Sequence, residues 1–497
     1  MSASVENGPV SAAASTRPPL SDPRLDFIAQ ARRFALERRA GLPFRFLKSY
    51  TRASEDEFAG LMAKVYCDAL PQRPGEPESL GRSLLKLLLH PFHFALSRRF
   101  FWRRETLVDF DLETIDREHF DRWYGAIYDR LPGSKRMTPS APADLAGLPA
   151  SEPMTSAVTP RTLAWLFAAP LWALPLWLLS RREGLNLLVS YRRALSLYAV
   201  YEGHFRRYPC RHFVTYSDEL NHPCRHLAFR QNCSGQLVAV QNGERVYHPA
   251  IAFGSLDLYL TFGTYMQRLC RDLQVKAGRI AAVGALNLDQ WQPLLAELER
   301  KAEPERYDVL LIDQSLWPYN GLDRRTADSF EKVFANLDRL KKDRPELRVA
   351  FQLRAYGANA EHKRHILDAV GRSFREKIDI LDNEGRGETY ANIFRSRLVL
   401  CYNSTIGYEA FFCGKGKKTL FVNCSGDPCQ ILSPDPRFQL YDETADYGRF
   451  EEAVLSLLEL KLSEPPEVAR ERHLPPDGRV PERIAVFLKE LDHAETA

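Results

Sequence analysis

No two cysteines in these 497 residues stand at a metal-binding spacing. There are nine, with no C-x-x-C; Cys224 and Cys233 are nine positions apart and Cys424 and Cys429 five. That argues against zinc fingers and thioredoxin-like redox motifs, and it fits reduced thiols in a cytosolic compartment. The first 23 residues are Ser, Ala, Pro and Gly-rich without an early apolar core, so they read as a disordered tail rather than a signal peptide. An unbroken apolar run of the roughly 20 residues that a spanning helix needs is also missing. The most apolar stretch, Leu163–Leu179, has 17 residues without a charge and is interrupted by Pro170 and Pro175. With no zinc finger, aromatic RNA-binding pattern or long basic stripe, a net charge of +4 gives no argument for nucleic acid.

What is present is globular: 45% apolar and 27% charged residues. A chain this long exceeds one core, so two or three domains are expected. The first part reads as helical. Arg24–Lys48 and Ser54–Leu70 have helical spacing, and Ser83–Arg104 mixes Leu, Phe and Trp with Lys, Arg and His. Basic, aromatic-bearing amphipathic segments suit an anionic membrane surface. Pro132–Pro160 reads as a linker, and Leu163–Leu179, flanked by Arg161, Arg181 and Arg182, reads as a segment lying in the membrane interface, buried in the core or spanning. Asp109 and Asp111 form a D-x-D, but far from any nucleotide-type unit, and no metal site is expected there.

From His212 the texture becomes α/β. Short apolar strands alternate with helices, and polar residues and glycines gather at strand C-termini, where open sheets place their sites. In the second half, Arg348–Leu353 is a strand that delivers Arg354 at its end. The most informative stretch is Leu398–Asn423. An apolar strand runs into Asn403, Ser404 and Thr405, which are N-cap residues, then a helix is expected over Ile406–Cys413, closed by Gly414 and followed by Lys415 and a second strand. Hydroxyls at a helix N-terminus make an anion site, although an ordinary capped helix has the same pattern. The loop after Asn423, rich in Gly, Pro, Ser and Asp, is expected to act as a lid.

NSTIGYEAFFCGK resembles the donor-site motif of GT-B glycosyltransferases, S-T-x-x-x-E-A-x-x-x-G-K/P. It is most similar to the bacterial surface-carbohydrate branch of Kdo transferases, capsule transferases and CDP-glycerol glycerophosphotransferases. The resemblance implies that Ser404 and Thr405 face the donor phosphates and Glu409 the ribose, with Asn403, Arg354 and Lys415 as further members of the donor site. VAVQNGE, DLYLTFG and VGALNLD are similar to the acceptor half of the same enzymes, except that Asn242 stands where they carry a histidine. Together these imply an α/β, GT-B type architecture: two Rossmann-like domains facing a cleft, with an α-helical N-terminal extension. The expected divisions are a tail over 1–23, a helical and membrane-associated region over 24–184, an acceptor domain over 185–300, a nucleotide-donor domain over 301–443, and C-terminal helices over 444–497 packing back on the first half.

An inverting transferase needs a base on the acceptor side. Glu244 heads the candidates, at a glycine turn closing a strand, followed by Asp218 and His222. A retaining mechanism needs none. The implied activity is metal-independent transfer of a sugar from a nucleotide-sugar co-substrate, without a cofactor, to a lipid-linked or polysaccharide acceptor in bacterial surface-carbohydrate synthesis. The implied location is cytoplasmic, on the cytosolic face of the inner membrane, without a nucleic-acid partner. The alternatives are a CDP-polyol phosphotransferase of teichoic-acid type and a non-catalytic GT-B scaffold.

Overall fold

The computed structural model describes residues 25–494 apart from 71–78, 101–107, 115–116, 118–119, 140–147, 149–150, 155–156, 219–220, 314–323, 355–359, 375, 385–386, 403 and 426–432. In chain order its strands are β1 (Arg99–Phe100), β2 (Val108–Thr114), β3 (Lys135–Pro139), β4 (Ala157–Val158), β5 (Cys210–Thr215), β6 (Gln236–Val240) and β7 (Ser255–Thr261). They continue with β8 (Lys276–Ala282), β9 (Tyr307–Ile312), β10 (Val349–Gln352), β11 (Asp379–Leu381), β12 (Ser396–Cys401), β13 (Lys418–Asn423) and β14 (Gln439–Tyr441).

Two six-stranded sheets organise the molecule, and every pairing in them is parallel. The first runs β3-β2-β5-β6-β7-β8 and the second β11-β10-β9-β12-β13-β14. Strands covered on both faces read as continuous apolar runs, and VLLI in β9 and LVLC in β12 do so. The second order is the 3-2-1-4-5-6 of a Rossmann sheet, with its switch point between β9 and β12. The α/β reading therefore holds, with two doubly wound sheets.

The helical layer at the N-terminus packs on the 21-residue helix Leu187–Arg207 and, through it, on one face of the first sheet. Its helix Glu55–Ala69 starts at a complete capping box, with Ser54 and Glu57 satisfying each other's backbone N–H groups. The expected boundary at 185 needs correction, because β2 and β3 already belong to the first sheet. So does the linker over Pro132–Pro160, which contains β3 and β4. The cause lies in VDFDLET: Asp111 and Glu113 are buried charges, which disguise a core strand. His204 Nε2 meets Asp111 at 2.8 Å, and Arg225 Nη1 meets Glu113 at 3.0 Å. Burying those carboxylates is tolerable because each is paired. With Asp111 engaged by His204 and Thr138, the D-x-D has a structural partner set. β3 hides for another reason. It is an edge strand ending on Pro139, where the missing N–H costs nothing.

After the linking helix Gln292–Arg300, the second sheet carries helix Tyr447–Glu459 on its own face: Phe450, Val454 and Leu457 share a core with Leu398, Leu400 and Phe421. The last helix, Val480–Ala494, by contrast crosses back, with Val480, Ile484 and Leu488 packed beside Phe110, Val283 and Leu286. The expectation that both C-terminal helices return to the first half is corrected accordingly.

Candidate functional site

β9, β10 and β12 bring Asp313, Arg354 and Ser404–Thr405 to one edge of the second sheet, at the switch point where such sheets bind ligands. The Arg354 backbone N–H donates to Asp313 Oδ2 at 3.2 Å, and the rest of Arg354 is exposed. Ser404 Oγ accepts the Ile406 N–H at 3.3 Å. The stretches following β9, β10 and β13 at this edge, 314–323, 355–359 and 426–432, lie outside the described residues, as does Asn403. The lid assignment falls largely on them.

The helix here is shorter than expected. Ile406–Glu409 is one α turn, continued as a 3-10 turn over Ala410–Phe412. Two turns have little aligned dipole, so any phosphate binding rests on side chains and on the crevice at the switch point. Lys415 is separated from this edge. It follows the far end of those turns, is 90% exposed, and lies 3.6 Å from Glu299 of the linking helix.

Thr405 has a partner from the other half: its Oγ1 accepts the Glu244 N–H at 2.8 Å. The turn that presents Glu244 follows β6. Gln241 braces it, donating from Nε2 to the Gly243 carbonyl and accepting the Phe262 N–H, both at 2.8 Å. Asp218 braces it too, accepting from Arg245 Nε at 3.1 Å and from the Tyr259 hydroxyl. The structure therefore joins Glu244, Asp218 and Thr405 in one place, with Asp218 as a buried positioning group.

The Glu244 carboxylate points into a buried cluster between the sheets. Arg472 Nη1 donates to it at 2.7 Å, and His473 Nε2 lies 2.8 Å from its other oxygen. Burial would raise this carboxyl, but the Arg472 and His473 charges outweigh that and hold it below its ordinary value. Arg472 also lies over the rings of Tyr265 and Tyr408, at 3.8 and 4.4 Å from their centroids. These two residues were missed by sequence reasoning. They belong to ARERHLP, a loop and short helix with no recognisable motif. The nearest signal was Gly263: a Cβ there would stand 2.4 Å from the Glu471 carbonyl oxygen, so glycine is what lets the C-terminal segment pass.

Glu409 sits in the same region but faces inward. It is 2% exposed, and its Oε2 accepts the Tyr390 hydroxyl at 2.7 Å. Burial pushes its carboxyl above the ordinary value, against the opposing pull of His473. Its Oε1, His473 Nδ1 and the Tyr216 hydroxyl are buried without a hydrogen-bond partner. Burial first, then the Glu409 and Asp218 charges, pushes Tyr216 up, which sets Tyr216 at the end of β5 beside this cluster. Several unsatisfied polar atoms in one buried place call for water or a ligand group.

His222, the third base candidate, has structural partners. It caps helix Pro223–Asn232, accepting the Cys224 N–H at Nδ1, and its Nε2 faces Asp68 of the N-terminal helices at 3.5 Å. Burial lowers its pKa. Among the described residues no group of three or more His, Cys, Asp and Glu is arranged to hold a metal.

No protein-family model and no curated sequence matches the chain. Solved structures do resemble it. A glycosyltransferase from Rickettsia africae ESF-5 is 11% identical, with 77% of this chain and 98% of that one covered and a TM-score of 0.42. The UDP-forming α,α-trehalose-phosphate synthase of Burkholderia vietnamiensis is 12% identical, covering 79% and 100%, with a TM-score of 0.45. The wall teichoic acid polymerase TagF is 10% identical, covering 89% and 100%, with a TM-score of 0.39. Overlaps this loose carry neither substrate nor activity to this chain.

Proposed function

We propose that the protein is a GT-B type transferase that moves a sugar from a nucleotide-sugar to a lipid-linked or polysaccharide acceptor of the bacterial cell envelope, on the cytosolic face of the inner membrane. The observation that carries this is the meeting of the two halves at the second sheet's switch point. There Thr405 of the donor-like motif accepts the N–H of Glu244 from the other half. Ser404, Thr405 and Arg354 are the groups for the donor phosphates, and the Arg guanidinium fork suits that charge. Departure of a nucleotide diphosphate is helped by such donors without a metal.

Glu244 is the acceptor-side base in this reading only if the halves separate enough to free it from Arg472. A second reading, the non-catalytic scaffold, is favoured by one observation: Glu409, the ribose-side residue of the motif, is buried against Tyr390. An assay separates the two. The purified protein is incubated with labelled UDP-, GDP-, CDP- and CMP-linked donors and a bacterial lipid extract. The transferase reading expects label in the lipid or polymer fraction from one donor, lost in the Ser404→Ala, Thr405→Ala double variant. No transfer from any donor, by protein that binds none of the nucleotides, favours the scaffold. Transfer of glycerol phosphate from the CDP-linked donor identifies the polyol phosphotransferase.

A further inference from the structure

The segment Pro160–Glu183 has a mean hydropathy of 1.7 in its best window, with its charges, Arg161, Arg181, Arg182 and Glu183, confined to its two ends, yet only 28% of that window is buried. Pro170 and Pro175 are absorbed by a 3-10 turn over Ala169–Trp172 between helices Pro160–Ala168 and Ala173–Glu183. One face, Thr162, Leu166, Ala169, Ala173, Leu176 and Ser180, is packed into the protein. The opposite face carries Phe167, Leu171, Leu174 and Leu178, all exposed, with Leu171 at 75%. A helix that is apolar all round and covered on one side only has an unfilled partner on the other.

The helix Leu80–Leu96 extends this surface. Its Leu87, His90, Pro91 and Phe94 face the core, whereas Leu85, Leu88, Leu89, Phe92 and Leu96 are exposed. Those five fall within about 100° of arc at 100° per residue. Phe92 meets Phe167 edge-on at 5.2 Å, so the two faces form one patch. Leu80–Leu96 contains no acidic residue, and the one in Pro160–Glu183, Glu183, is paired with Arg38 at 2.6 Å. Arg82, Arg181 and Arg182 are exposed, and Arg181 lies over the Trp177 ring at 5.0 Å.

We infer that these helices form a single in-plane docking surface for an anionic bilayer leaflet, and that Pro160–Glu183 lies along the membrane instead of crossing it. The packed face rules out an isolated span in this fold, because crossing would strip Leu166, Ala173 and Leu176 from their core. The basic flanks match anionic headgroups while the leucines and phenylalanines enter the acyl boundary. A second copy of the chain is a poorer occupant, since a symmetric pairing would bring like-charged flanks together. The inference rests on the membrane placement proposed above but not on the transfer chemistry, so vesicle binding and donor turnover fail separately.

The test is flotation of the full chain with vesicles of phosphatidylcholine alone or mixed with phosphatidylglycerol. Binding to the anionic vesicles should exceed binding to neutral ones by about tenfold, and alkaline carbonate should release the protein. Leu171→Glu with Leu174→Glu should abolish flotation while leaving circular dichroism and melting unchanged, because both side chains are exposed. Arg181→Glu with Arg182→Glu should erase the preference for anionic lipid. Absent or charge-independent flotation overturns the inference. So does resistance to carbonate, which marks a span, or a concentration-dependent dimer in light scattering that the leucine variants dissolve.

Discussion

Glu409 combines two demands on one carboxyl. The motif it belongs to implies a ribose contact, but in this structure it is buried and bound to Tyr390. Because burial raises its folded pKa, the folded state holds a proton that the unfolded chain has released at the same pH. The resulting penalty is absent below the unfolded value of about 4.3 and grows as pH rises through the raised folded value. Glu409→Gln keeps an acceptor for Tyr390 and removes the charge. It should therefore melt at or above the native temperature at pH 7 to 8, with the difference closing towards pH 4. If Glu409 also meets the donor ribose, nucleotide affinity in the same variant should fall by up to about tenfold, the worth of a hydrogen bond. A variant less stable at pH 7 than at pH 4, relative to the native protein, would show that the ionised carboxylate is held and stabilising. Ser404, Thr405 and Glu409 were legible as residues because their order along one short stretch carries the pattern. Their surroundings were not: that Thr405 accepts an N–H from Glu244, 161 positions away, is set by the folding of two sheets.

At the scale of elements, the C-terminal segment Glu471–Leu474 acts as a strap between the halves. Its Leu474 N–H donates to the Phe262 carbonyl at 2.9 Å, and Arg472 and His473 hold Glu244. Breaking one side of a buried ion pair strands the other charge and costs about 3–5 kcal/mol. Arg472→Met should lose that much in urea unfolding, and the double variant Arg472→Met, Glu244→Gln should lose less than the sum of the singles. A single-variant loss under about 1 kcal/mol would show that the strap does not depend on this pair. Sequence reading missed the strap because Arg472 and Glu244 are 228 positions apart and no local pattern joins them. It missed β2 for a related reason, since His204 and Arg225, which pair with the buried Asp111 and Glu113, lie far along the chain. Buried apolar strands such as β9 and β12 needed no distant partner to be recognised.

For the whole molecule, two parallel sheets were legible from alternating strands and helices. The division between them was less so, because the first sheet recruits β2 and β3 from within the region that reads as helical and linker. In the proposed transferase a nucleotide binds at the edge of the second sheet formed by β9, β10 and β12. Isothermal calorimetry of the full chain with UDP, GDP, ADP, CDP and CMP tests it most directly, with Ser404→Ala, Thr405→Ala and Arg354→Ala measured beside it. The expected result is selective binding of one nucleotide, weakened about tenfold or more by each substitution, since each removes a hydrogen bond to a charged phosphate. A folded protein that binds none of the five, or that binds one equally well in all three variants, would contradict it.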